Sequence, residues 1–244
     1  MFEDNNRNYY GSAQGADIAI VAKTFMSQVF TWMTLAMIIT AGTAYWFASS
    51  ESAITSLVNV DTGGLTGLGW IVTLAPIGFV LLMSFGFQKL SALAMTLLFI
   101  AFSVLMGMSL SFILLIYTAA SVFKTFIVTA GMFGIMAVAG YTTKTDLTKF
   151  GSILMMGLIG LMLAMLVNFF MHSSSMEYII SILGVLIFTG LTAYDVQRLK
   201  RIGAGAGTYG DDNSRKLSIL GALTLYLDFI NLFLFLIRFL GNRR

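Results

Sequence analysis

The chain has no cysteine, one histidine and one proline among its 244 residues, and only 10% of its residues are charged. Without cysteine it cannot form a disulfide bond or use a thiolate as nucleophile or ligand. Zinc and haem sites built from several histidine or cysteine ligands are also excluded, because His172 is the only histidine. We therefore expect no resident cofactor and no metal centre of this kind.

Hydrophobic residues make up 58% of the chain. They form continuous apolar stretches long enough to cross a bilayer, and they do not alternate with polar residues as in a membrane barrel. The sequence predicts an all-α polytopic membrane protein, a bundle of seven transmembrane helices. It predicts a single transmembrane domain over residues 1–244, with a polar tail at 1–24 and spans near 25–47, 68–87, 93–117, 123–141, 153–171, 178–197 and 217–240.

The net charge of +3 does not indicate a nucleic-acid partner, because the basic residues gather in the loops between spans. Ten of the fourteen lysines and arginines fall on the N-terminal side of the predicted bundle. This bias predicts a multi-pass protein of the inner membrane with a cytoplasmic N-terminus. Three arginines near the C-terminus argue the other way and leave open a re-entrant last segment, with both termini inside: Arg238, Arg243 and Arg244.

Two aspartates are the main functional candidates. Asp228 lies near the middle of the last span, and Asp195 lies at the end of the span before it. An ionisable group inside a membrane is costly, so it indicates a functional site with a partner. Thr192 lies on the helical face of Asp195, and Asn231 lies on the face of Asp228. Consecutive spans joined by a short loop are expected to be neighbours, so the two carboxyl groups are expected to meet.

Two carboxylates close together in a low-dielectric site do not easily both ionise, and such a pair titrates as one unit. The pair can hold one proton in a closed O–H···O contact. Loss of that proton leaves an oxygen-rich site that suits a hard cation such as Ca²⁺. The residues therefore predict a pH-sensitive site for transient Ca²⁺ binding at Asp195 and Asp228. The alternative is that each aspartate only joins helices through hydrogen bonds.

Other patterns indicate structure rather than chemistry. Gly205, Gly207 and Gly210 match G-x-G-x-x-G, but a membrane span and a basic run precede them in place of a strand, so we interpret them as a glycine loop. The polar run at 211–214 is predicted to supply N-caps and negative charge at the start of the last span. Small residues at helical spacing in the third and fourth spans predict close helix packing: Ser103, Gly107 and Ser111, and Gly131, Gly134 and Gly140.

LTAYDVQRLKRI at 191–202 and LYLDFINLFLFLIRFLG at 225–241 resemble the Bax inhibitor-1 family, also called the transmembrane Bax inhibitor motif family. The stretches at 29–45, 74–85 and 105–113 look like its first three spans, so the resemblance covers nearly the whole chain. In the shortness of its loops the chain resembles the bacterial members of the family rather than the animal ones. The resemblance implies six helices around a central seventh, and a proton-regulated calcium leak through Asp195 and Asp228, with Tyr194 in the Tyr-Asp-x-Gln motif.

The chain departs from the family pattern at one place. Members often carry an arginine near the end of the second span, which pairs with the sixth-span aspartate in the closed state. The corresponding stretch reads SFGFQKLSA and contains no arginine. Two residues are candidate replacements for this arginine: Lys89, and Arg198, which lies three residues after Asp195.

Three functions are compatible with the sequence. The first is a pH-sensitive calcium or cation leak, with the lipid bilayer, Ca²⁺ and protons as partners and a monomer as the expected state. The second is an interaction protein that binds another membrane protein, such as a membrane protease, and transports nothing. The third is an intramembrane aspartyl protease, which the sequence disfavours because Leu225, Tyr226 and Leu227 precede Asp228 in place of Gly-x-Gly. We expect the chain not to be an enzyme.

Overall fold

The computed structural model describes residues 2–59 and 64–243, so Asp61 of the first polar loop and Arg244 lie outside it. Within this part the chain is almost entirely helical. The elements are α1 (Phe2–Ser49), α2 (Glu51–Leu57), α3 (Gly67–Gly86), α4 (Ala92–Ile116), α5 (Ala119–Thr142), α6 (Thr148–Met171), α7 (Ser174–Ala204), a 3₁₀ turn (Ala206–Thr208) and α8 (Asp211–Leu240).

Seven of the described helices are long and apolar enough to cross a membrane, and the short α2 is not among them. This confirms the predicted seven-helix membrane class. Several helices are longer than the predicted spans. The first span continues a helix that already begins at Phe2, within the stretch predicted as a polar tail, and α7 extends to Ala204, into the predicted glycine loop.

Four spans begin at a serine or threonine whose hydroxyl oxygen accepts a backbone N–H three residues later: Thr66, Ser91, Thr118 and Ser173. The N-terminal N–H groups of a helix have no intrahelical partner, and these side chains satisfy one of them each time. The polar boundaries that interrupt the apolar runs therefore determine where the spans begin.

The start of α8 differs from the predicted cap. Gly210, with φ of 75°, is the N-cap residue and offers no side chain, so the prediction that residues 211–214 cap this helix is wrong. Asp211 and Asp212 lie in the first turn instead, where a carboxylate still faces the positive end of the helix dipole. Asp212 also accepts a hydrogen bond from the backbone N–H of Ala92, at 3.3 Å.

Helix α8 forms the centre of the bundle. It packs against α1, α3, α4, α5 and α7, and most of its side chains are buried. The ring of Tyr226 packs edge-on against Phe99 and Phe102 of α4. Its hydroxyl lies 2.8 Å from Thr40 Oγ1, which itself donates to the Ser103 carbonyl at 2.9 Å. Tyr226 is therefore the donor to Thr40, and this chain of bonds joins three helices.

Helix α6 stands at the edge of the bundle. Among the described helices its backbone packs closely against that of α7 alone, and it lies further from α8. Few of its side chains are buried, and most face outwards. The central helix is therefore surrounded unevenly, and the gap between α6 and α8 holds the candidate site.

The two ends of α8 lie on opposite sides of the bundle. Its first turn contacts the α3–α4 connection through Asp212, and beyond its last turn Asn242 accepts a hydrogen bond from the backbone N–H of Thr118 at 3.1 Å. The connections at these two ends lie at opposite ends of α4. Helix α8 thus traverses the bundle once, and the re-entrant alternative does not describe it.

Small residues allow close approach at two of the predicted positions. A Cβ at Gly107 would lie 2.6 Å from the Thr40 carbonyl oxygen of α1, and one at Gly140 would lie 2.8 Å from Ala193 Cα of α7. The packing seam on α4 therefore forms as expected. Gly131 and Gly134 face open space, so the prediction that they pack closely is wrong.

Candidate functional site

The structure brings Asp195 of α7 and Asp228 of α8 together. Both residues are buried, with 7% and 5% of their surfaces exposed. Their carboxyl groups lie within hydrogen-bonding reach of each other. The Oδ2 atom of Asp228 is buried and has no hydrogen-bond partner in the described part of the chain. One proton between the two carboxyl groups would provide the missing donor.

Arg198 is the cation beside this pair. Its Nη1 atom lies 3.9 Å from Asp195 Oδ1, one helical turn along α7, and its side chain is 61% exposed. An ion pair that is this long and this exposed contributes at most about 1 kcal/mol. Of the two candidate replacements, Arg198 is the one that forms an ion pair with Asp195 in the described part of the chain, but it holds Asp195 weakly.

The two carboxyl groups border a cavity of about 790 Å³ between α6, α7 and α8. The α6 wall is entirely apolar and consists of Met155, Leu158, Met162 and Met165. Arg198 and Arg238 line the cavity on either side of the acidic pair. The site therefore combines a wide apolar chamber with a carboxyl pair in its wall.

Two smaller cavities adjoin the central one along α8. One, of about 270 Å³ between α3, α7 and α8, shares Asp195 and Arg198 with it. The other, of about 530 Å³, lies at the far end of the bundle and shares Met165 and Arg238 with it. Asp195 thus lies at the junction of the central cavity and the cavity beside α3. The acidic pair lies between the cavity beside α3 and the cavity at Arg238, which are the two outer ones of the three.

The supporting residues predicted from the sequence separate into two groups. Tyr194 and Asn231 line the central cavity together with Arg198. Thr192 does not line it, and its buried hydroxyl donates to the Phe188 carbonyl of its own helix at 2.8 Å. Asp195 and Phe188 do line the chamber, so the predicted face of α7 is correct but Thr192 is not part of the wall.

Residues 22–244 match the family described as "Inhibitor of apoptosis-promoting Bax1". The chain belongs to the Bax inhibitor-1 family. It is 50% identical to the inner membrane protein YbhL of Escherichia coli K12, over 91% of this chain and 93% of that protein. An uncharacterised protein of Rickettsia prowazekii is 43% identical over 91% of each chain.

The glutamine of the Tyr-Asp-x-Gln motif that resembles this family has a clear structural role. Gln197 Nε2 donates to the Thr145 carbonyl at 2.7 Å, and its Oε1 accepts from the Leu147 backbone N–H at 2.9 Å. Both partners belong to the α5–α6 connection. The side chain two residues after Asp195 therefore holds the start of α6 against the end of α7.

Arg201 strengthens the same connection from its outer side. It contacts Asp146 at 2.6 Å and Thr148 at 2.9 Å. The Thr148 hydroxyl, which donates to Asp146, and the Arg201 guanidinium hold the pKa of the Asp146 carboxyl well below its usual range. Sequence reasoning treated Arg201 only as a topology signal and missed this clamp.

Calcium would find few ligands here. The described part of the chain contains no group of three or more histidine, cysteine, aspartate or glutamate residues arranged for a metal ion. The acidic pair offers two carboxyl groups, and the Asn231 amide borders the same cavity. Ca²⁺ normally takes six to eight oxygen ligands, so water would have to supply the others. The protein groups at this site therefore supply fewer oxygen ligands than a Ca²⁺ ion normally takes.

Proposed function

We propose that the protein is a pH-sensitive leak channel or transporter for calcium or a similar cation, with Asp195 and Asp228 as its shared proton and cation site. The observation that carries the proposal is the contact of two buried carboxyl groups at the junction of the cavities along α8. Membership of the Bax inhibitor-1 family supports it. The protein acts in this view by transport and not by catalysis.

Protons and cations compete for the same oxygens in this mechanism. When the two carboxyl groups share a proton, their contact separates the central cavity from the smaller one beside α3. Loss of the proton makes the two groups repel, and a cation can then bridge them. Conduction should therefore increase as the pH rises. The other charged groups that line these two cavities are Arg198 and Arg238, and the α3 and α6 walls contribute none.

The orientation in the membrane belongs to the same proposal. The bias of lysine and arginine favours a cytoplasmic position for the N-terminus and the start of α8. The chain is 50% identical in sequence to YbhL, an inner membrane protein, and this similarity supports the inner membrane as the location. In this orientation the cavity beside α3 faces the cytoplasm, and the cavity at Arg238 faces the opposite side.

The test is calcium flux into proteoliposomes between pH 5 and pH 8. We expect flux that rises with pH in the wild type and loses this dependence in Asp195→Asn and Asp228→Asn. Asp211→Asn is the matched control, because Asp211 is an exposed carboxylate at the start of the same helix α8. Flux that is flat with pH and equal in all four proteins would refute the proposal and favour an interaction role without transport.

An aspartyl protease is the second candidate, since two carboxyl groups in contact beside a large cavity also resemble a proton-sharing catalytic dyad. The residues before Asp228 do not follow the Gly-x-Gly pattern of that class. The measurement is cleavage of a model transmembrane substrate in the same vesicles. Cleavage that Asp228→Asn abolishes would establish the protease, and intact substrate supports transport.

A further inference from the structure

The central cavity is much larger than an ion requires. Its volume of about 790 Å³ is roughly that of two dozen water molecules, at about 30 Å³ each. Pockets that bind organic molecules typically measure about 300–1,000 Å³ and are lined mainly by apolar side chains with a few polar groups. In size the cavity belongs to this class.

The wall of the cavity also favours an organic molecule. Methionine and leucine of α6 face aromatic rings of α7 and α8 across it, with Phe188 stacked on Phe235 at 5.8 Å between centroids. Methionine side chains are flexible and adapt to varied apolar shapes. A path built only for a hydrated cation gains nothing from such walls, whereas an apolar body makes van der Waals contacts with them.

Two acidic side chains, Asp195 and Asp228, interrupt this apolar wall. They are 7% and 5% exposed, and an ionised carboxyl group that is this buried is costly without a positively charged partner. Hydrogen bonds from a cationic donor to a carboxylate are about twice as strong as those between neutral groups. An ammonium group reaching Asp228 would be held beside Asp195 as well.

The cavity can be entered from the lipid. The backbones of α6 and α8 do not pack closely, and Met155 and Met162, which line the cavity, are 47% and 59% exposed. The side of the chamber between α6 and α8 is therefore open towards the membrane interior. A molecule that partitions into the bilayer could reach it without crossing the aqueous ends of the bundle.

From these four observations we infer that the cavity between α6, α7 and α8 is a binding site for a hydrophobic amine. The primary ammonium binds at Asp228 and Asp195, and the apolar body lies against the α6 wall. Binding of an amine is a property separate from the proposed cation leak, because equilibrium binding can be measured without any flux. The amine can be a free molecule or the headgroup of an aminolipid, and both share the same chemistry.

The experiment uses three probes of one shape with the full chain in phosphatidylcholine nanodiscs. 4-Phenylbutylamine is a cation at neutral pH, 4-phenylbutanol is neutral and 4-phenylbutyrate is an anion. Isothermal titration should show the amine binding about tenfold or more tightly than the alcohol, and the anion not binding. Asp228→Asn should reduce the affinity for the amine to that for the alcohol. Equal affinity for amine and alcohol would overturn the inference.

A second pair of variants tests the cavity without changing a charge. Leu158→Trp fills the chamber from the α6 wall, and Ile159→Trp places the same ring on the next residue, which is 59% exposed and does not line the cavity. We expect Leu158→Trp to lose amine binding and Ile159→Trp to keep it. Undiminished binding by a folded Leu158→Trp protein would overturn the inference even if Asp228→Asn does not fold.

Nanodiscs that contain phosphatidylethanolamine distinguish the two sources of the amine. If an aminolipid headgroup occupies the site, the apparent affinity for 4-phenylbutylamine falls in these discs. If the site takes free amines, the affinity does not change. Calcium flux without any amine binding would leave the proposed function standing and would remove only this inference.

Discussion

The contact between α5 and α7 behind the acidic pair can be tested by adding a single methyl group. Gly140 lies against Ala193, two residues before Asp195, and a Cβ at this glycine would be 2.8 Å from Ala193 Cα. Carbon atoms normally approach to about 3.5–4.0 Å, so Gly140→Ala must separate the two helices by up to about 1 Å. Overpacking of this kind costs about 1–3 kcal/mol.

Gly131 on the same helix provides the matched control. A Cβ there would meet nothing within 4 Å, so Gly131→Ala adds the same methyl group and the same gain in helix propensity, up to about 1 kcal/mol, without a clash. In detergent, thermal unfolding should occur about 3–10 °C lower for Gly140→Ala and at the same or a higher temperature for Gly131→Ala. Because α7 carries Asp195, Gly140→Ala should also change calcium flux. Equal stability and flux in the two variants would refute the packing described for these helices.

Three further results are expected. Tyr226→Phe removes the bond to Thr40 but leaves the threonine bonded within the core, so unfolding should be easier by about 1 kcal/mol, as measured by thermal denaturation. Asp146→Asn should lower the unfolding temperature at pH 7; because the folded pKa lies below the unfolded one, the difference should shrink as the pH falls below about 4. The chain has no cysteine, so Asn242→Cys should react with an impermeant maleimide in intact spheroplasts and Lys144→Cys should not; the reverse pattern would invert the proposed orientation.

The class of the protein and the acidic pair could be predicted from the sequence, because both depend on strong local signals. Continuous apolar runs determine the spans, and a carboxylate such as Asp228 inside one of them has few alternatives to a partner on a neighbouring helix. Thr192 shows where this reasoning stops. Helical spacing gives the face that residues share, but which residues of that face border the cavity depends on how α7 packs against its neighbours.

The cap of α8 and the clamp on α6 could not be predicted for a related reason. A run of aspartate, asparagine and serine at 211–214 is compatible with several cap positions, and the positive φ of Gly210 moves the start of the helix to the glycine. Gln197 bonds with backbone groups fifty and more residues away, and the identity of those residues does not record that contact. Contacts that use the partner's backbone leave no signal in the partner's sequence.

The position of α6 follows from the same physics. Its span is strongly apolar, yet it is the least buried, whereas α8 carries aspartate, asparagine and threonine and is the most buried. In water an apolar helix is driven inwards, but lipid is as apolar as leucine, so hydrophobicity gives no preference between core and periphery. Polar side chains decide instead, because they gain hydrogen bonds only against another helix. Helix α6, which has no carboxylate and whose one amide, Asn168, lies near its end, remains at the edge, and this leaves the chamber beside Asp228 open to the membrane.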